Sequence, residues 1–217
     1  MKKGQALIFL VFFVSIALGV FSYPFLPDRV VSHWNASDVP DDTMSKTALV
    51  MLFPVIFLVL IGVYFLILKI DPLRENIALF REYFDAFWSL VSLFLFYTYL
   101  LVVVWNLGYE FPIGLFMIPA ISILFYAIGI LLSKSKRNWF IGIRTPWTLS
   151  NDFVWEKTHV LGGNLFRAAA VISLLGVFFK DGKASFVILI SLIVAIVITT
   201  AVYSYLVYRR MVGNKVI

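Results

Sequence analysis

Two places in this 217-residue sequence hold residues whose types and spacing could do chemistry. The first is Glu156-x-x-His159, an i, i+3 pairing that metal-carboxylate helix bundles use. Only one such pair exists, and a bundle needs several. The second is the stretch from Tyr23 to Lys46, where His33 lies among Asp28, Asp38, Asp41 and Asp42. Carboxylates with an imidazole suit a divalent cation, but scattered acids in a solvated loop are usually only solvated. No HExxH, nucleophile-elbow or phosphate-loop pattern is present, and the absence of cysteine excludes disulfides and thiolate metal sites. We therefore expect no metal, no cofactor and no enzyme activity. An enzyme using His159 with Glu156 or Asp152 is the least supported of three functional readings.

The elements that position these residues are spans. Hydrophobic residues make up 62% of the chain and charged residues 14%, against roughly a quarter charged in soluble domains. Residues 4–27, 47–68, 86–109, 111–133 and 184–208 contain no Asp, Glu, Lys or Arg. Each reaches the ~20 residues that cross a hydrocarbon core. A sixth span is expected over residues 161–179, roughly 28 Å of helix, with Arg167 near one end where it can snorkel to the headgroups. The fold class expected is all-α: a polytopic membrane protein with six transmembrane helices, located in the cell membrane with the lipid bilayer as its first partner.

The net charge of +6 reads as topology rather than as nucleic-acid binding. With six spans, alternate segments hold 14 and 4 of the Lys and Arg residues. Cytoplasmic segments carry that excess, so both termini are expected inside. Met1-Lys2-Lys3 before an apolar run also has the form of a signal peptide, with Ala17-Leu18-Gly19 as a cleavage site. The uncharged run is long for a signal, and the loop assignments stand either way.

Two segments are not lipid-facing. The expected extracellular loop, residues 23–46, is kept from regular helix by Pro24, Pro27 and Pro40. Tyr23 and Trp34 suit an interface. Asn35-Ala36-Ser37 fits a glycosylation sequon, with nothing to show a compartment that glycosylates. The expected cytoplasmic segment, residues 134–163, holds three of the six Trp: Trp139, Trp147 and Trp155. Gly142 permits a turn and Thr145-Pro146 disfavours helix there. Ser150 or Asn151 can cap a short interfacial amphipathic helix between spans four and five. Trp155, Thr158, His159 and Gly162 share one face of it, and Gly162-Gly163 is expected to break or bend it before the fifth span. All three Trp are expected to bury against the span ends. Arg144, shaped by Gly142 and Pro146, offers a fork for a carboxylate, a phosphate or helix-end carbonyls.

At these residues the chain resembles the SdpI family, membrane immunity and signalling proteins of the bacterial Sdp toxin system. Tyr23, Pro24, Leu26, Pro27, Asp28, Val30, His33, Trp34 and Asn35 resemble the domain of unknown function at the N-terminus of many relatives. Asn138-Trp139-Phe140-x-Gly142-Ile143-Arg144-Thr145-Pro146-Trp147-Thr148, continuing to Trp155, Lys157-Thr158-His159 and Leu161-Gly162-Gly163, carry the rest. Relatives usually place Gly where Asp38 stands and often a basic residue where Val160 stands. The resemblance implies an N-terminal helix pair over 1–69 and a four-helix region over 70–217. It also implies toxin immunity: a secreted toxin peptide bound outside and, in some members, a regulator protein retained inside. A small transporter or peptide-handling membrane protein, with the cytoplasmic turn as a gate, is the alternative. Reporter fusions after residues 40, 80, 109, 150, 182 and 217 are expected to alternate outside and inside, starting outside. A cytoplasmic signal at 182 would remove the fifth span.

Overall fold

The computed structural model describes residues 3–178 and 182–213. Lys2, Phe179, Lys180 and Lys215, which enter the charge count or the expected limit of span five, lie outside them. Six helices are long and apolar enough to cross a membrane. They are α1 (Lys3–Ser22), α2 (Lys46–Ile70), α4 (Arg81–Asn106), α5 (Ile113–Lys134), α7 (Asp152–Leu174) and α8 (Gly182–Gly213), with short helices α3 (Arg74–Leu79) and α6 (Pro146–Ser150) in the links. The protein is a multi-pass membrane protein.

By packing, the bundle has two halves. In one, α1 and α2 enclose a core with α4 around Val11, Phe57 and Tyr99. In the other, α5, α7 and α8 pack around Phe125, Ala169 and Ile196. Contacts between α4 and α5 join the halves. Lipid offers no hydrophobic drive between helices, so close approach and polar contacts carry the association. Both are visible. Tyr64 on α2 donates to Asp85 on α4 at 2.7 Å, and Arg81 donates to both, at 2.6 Å each. On the other side α5 and α7 approach closely at glycines: a Cβ on Gly163 would meet the Gly129 carbonyl at 2.6 Å and also strike Ser133. Ser122 and Ser173 pair at 2.7 Å further along the same crossing.

This crossing corrects one expectation. Gly162-Gly163 does not break a helix. α7 runs unbroken from its Asn151 cap, so the expected amphipathic helix is the first turns of span five. The short separate helix between spans four and five is α6. The glycines serve the contact with α5, which outweighs their low helix propensity. Arg167 lies beside Gly129, about 7.5 Å of helix from the end of α5, and donates to Gly163 O and Asn164.

The 23–46 segment holds strands that were not expected. After a 3-10 turn at Tyr23–Phe25, β1 (Arg29–Trp34) and β2 (Pro40–Ser45) form an antiparallel hairpin, with irregular register between Val31 and Trp34. Val30 is fully buried within the α1-α2-α4 core. The hairpin marks one end of the bundle, and the 134–151 loop marks the other.

Gly163→Ala is expected to destabilise the protein by about 1–3 kcal/mol through overpacking, read as a lower melting temperature in detergent. Gly62→Ala, where a Cβ meets nothing within 4 Å, is expected to leave it unchanged or raise it through helix propensity. Equal effects would remove the close-crossing account.

Candidate functional site

The loop end is built around Asn138, which is fully buried. Its side-chain oxygen accepts the N–H groups of Phe140 and Ile141 at 3.0 and 2.7 Å. Its amide nitrogen donates to Lys136 O and Ile141 O at 2.9 and 3.0 Å. One side chain thereby closes the turn. Asp71, between α2 and α3 and almost wholly buried, accepts Trp139 N–H at 3.0 Å. Asn76 on α3 donates to Arg137 O at 2.8 Å. The loop is thus docked onto the α2–α4 link.

The first turns of α7 hold the loop from the other side. His159 Nε2 accepts Ile143 N–H at 2.9 Å, and Nδ1 donates to Trp155 O at 2.8 Å. Nε2 therefore carries no proton, and the imidazole is the neutral Nδ1–H form. The Trp155 ring stacks on it, centroids 3.9 Å apart, and Trp155 Nε1 donates to Ser135 O at 3.1 Å. Gly142 has φ +117, and a Cβ there would strike His159 Nε2. Glycine is required on both counts. Gly162, on the same face, leaves room for the Ile143 side chain. Both His159 nitrogens are spent on backbone, so neither ligates metal nor moves protons without opening the loop. Glu156 and Asp152 do not bond it. Asp152 pairs instead with Arg137, at 2.7 Å.

Thr145 and Thr148 form a reciprocal cap on α6, with Pro146 in its first turn. Thr148 donates to Ile143 O at 2.8 Å, and Thr145 reaches Ser204 on α8 at 3.0 Å. Trp147 packs on Tyr205 at 5.1 Å. The expectation that all three Trp bury fails at Trp139, which is 50% exposed: the turn closes through its backbone N–H and carbonyl, freeing its ring. Arg144 is exposed and donates to that carbonyl at 2.6 Å. Lys157 is exposed and lies over the Phe153 ring at 5.5 Å.

At the hairpin end, Asn106 does what a third strand would. Its amide accepts Val31 N–H at 2.7 Å and donates to Val31 O at 3.0 Å. Pro24 opens the 3-10 turn, and Pro27 precedes Asp28, which pairs with Lys46 at 3.0 Å. His33 pairs with Asp41, so it has a partner other than a metal. Trp34 does not sit alone at the interface but packs edge-on against Trp105. Asn35 accepts Ser37 N–H and Val39 N–H at 2.8 and 3.2 Å, shaping the hairpin turn. Asp38 has φ +59, the left-handed conformation that a Gly at this position adopts freely, and accepts Gly114 N–H on α5 at 2.8 Å. Between this turn, α5, the end of α7 and α8 lies a cavity of about 600 Å³.

Residues 134–204 match the SdpI/YfhL protein family, and residues 10–58 match Domain of unknown function (DUF1648). Immunity protein SdpI of Bacillus subtilis (strain 168) is 26% identical, over 99% of this chain and 100% of the relative. No solved structure matches this chain. The SdpI-matched region contains the loop, the His159 face and Ser204, while the DUF1648-matched region contains the hairpin. Asp71, Asn76, Asn106 and Gly114, which hold these two regions in place, lie between the matches. The sequence reading did not single out Asp71, Asn76 or Gly114, and it weighed Asn106 only as an ion-path residue and set it aside. Buried polar residues just past span ends, such as Asp71, were the available signal.

His159→Phe keeps a ring against Trp155 but strands the buried Ile143 N–H, and is expected to cost about 1–3 kcal/mol. Protease cleavage between residues 138 and 145 should rise in parallel. Arg144→Ala, on an exposed side chain, is expected to shift stability by less than about 0.5 kcal/mol. A larger loss for Arg144→Ala than for His159→Phe would contradict this division of roles.

Proposed function

We propose that the chain is an immunity-type protein that protects its own membrane from a secreted, membrane-active peptide, taking that peptide at the hairpin end. The observation that carries this reading is the relation to Immunity protein SdpI along the full length of both chains. The expected topology supports it, because it places the hairpin on the side from which a secreted toxin arrives. The cavity beside the hairpin supports it too, being within the ~300–1,000 Å³ of ligand pockets. The loop end suits a second role, retention of a regulator protein. Arg144 and Trp139 present a cation and an indole on a backbone that Asn138, Asp71 and His159 already hold rigid. The transport alternative gains nothing from Asn106, whose amide is committed to Val31 and Val102.

The test is a deletion of this gene in its own host, grown in medium conditioned by the parent strain. The deletion strain is expected to lose viability while the parent and a complemented strain grow. Equal growth of all three would overturn the immunity reading. Arg144→Ala is expected to leave protection intact and to weaken only co-purification of a regulator.

A further inference from the structure

The hairpin-end cavity has an apolar wall and a chemically distinct mouth. Ile118 on α5 and Leu189 on α8 line its depth, together with Ser173, whose hydroxyl is already paired with Ser122. The hairpin turn supplies the mouth, with Asp38 and Trp34 among its lining residues. One Asp38 oxygen takes the Gly114 N–H. The other takes no hydrogen bond among the described residues. The Trp34 indole N–H is buried and has no partner among the described residues either, a condition that costs free energy until a carbonyl meets it. No Lys or Arg is among the described lining residues.

We propose that this cavity binds an apolar peptide segment led by a basic group. The amine or guanidinium sits on Asp38, and apolar side chains fill the space between α5 and α8. The charge pattern selects a peptide over a phospholipid. A phosphate at this mouth would face the Asp38 carboxylate with no Lys or Arg among the described lining residues to offset it, whereas a charge-assisted bond forms with an amine. The proposal rests on the immunity reading for the kind of ligand, and names its chemistry and seat.

The test uses the full chain in phosphatidylcholine nanodiscs. One probe is a ten-residue leucine-rich peptide with a free amino terminus, one Lys and a photoreactive leucine. Its counterpart is acetylated and carries Glu in place of Lys. The basic peptide is expected to label the segments around Ile118 and Leu189 about tenfold more than its counterpart, a difference of roughly one charge-assisted contact. Asp38→Asn keeps tolerance of the left-handed backbone and an acceptor for Gly114 N–H while removing the charge. It is expected to bring the two peptides within about twofold of each other. Leu189→Trp, which fills the depth, and Leu115→Trp at the mouth should each abolish labelling by both.

Equal labelling of the wild-type chain by the two peptides would overturn the proposal, as would labelling indifferent to both tryptophan variants. So would a diazirine-tailed phosphatidylcholine that labels the same segments and is not displaced by the basic peptide. Failure of the immunity reading looks different. Peptide labelling of the cavity with normal growth of the deletion strain would leave the site and remove the function. Protection that survives Leu189→Trp would leave the function and remove the site.

Discussion

Backbone that leaves helical geometry at the edge of a bilayer must find its hydrogen bonds inside the protein. In this chain a few side chains supply them. His159 and Asn138 serve the loop from within, Asp71 serves it from the α2–α3 link, and Asn106 serves the hairpin from the end of α4. Each is a polar group placed where lipid would penalise it if unpaired, and each is paired to main chain. The chemistry-bearing residues of the sequence are therefore mostly structural. The imidazole that most resembled a catalytic or ligating group is the peg on which the loop hangs.

That assignment separates the two ends of the molecule. At the loop end, most inward polar atoms are used, Thr158 Oγ1 being an exception, and Arg144, Lys157 and the Trp139 ring are among the groups that face outward. At the hairpin end, Asp38 and Trp34 line a cavity, and one Asp38 carboxylate oxygen and the buried Trp34 Nε1 are unused among the described residues. A membrane protein under pressure to satisfy buried donors leaves one open most readily where something else completes it.

Much of the fold was legible because charge placement is a coarse signal that lipid enforces strictly: each uncharged run overlaps one span. The start of the fifth span was not legible. Two adjacent glycines read locally as a break, and only the approach of α5 to Gly163 explains why they are helical. The hairpin was missed for a related reason. β2 reads Pro-Asp-Asp-Thr-Met-Ser, without apolar alternation, and is held by β1, which is itself anchored at Val31 by a side chain 75 positions away. The face formed by Trp155, Thr158, His159 and Gly162 was legible from helical spacing alone, and all four are buried. What they bury against, Ser135 to Ile143, was not, because a turn closed by one Asn carries no periodicity.

The bond between Asn106 and Val31 also sets a clock. The two residues are 75 positions apart, and chains are made at about 5–20 residues per second, so roughly 4–15 s separate their synthesis. From Ser45 until Asn106 is made, the hairpin is complete in sequence but lacks its anchor, and its edge strand is open to other chains. The third span must arrive before the first two hold their final shape. A ribosome that stalls between residues 45 and 106 would release an intermediate whose unanchored edge strand, rather than its greasy helices, is the part most prone to pair wrongly.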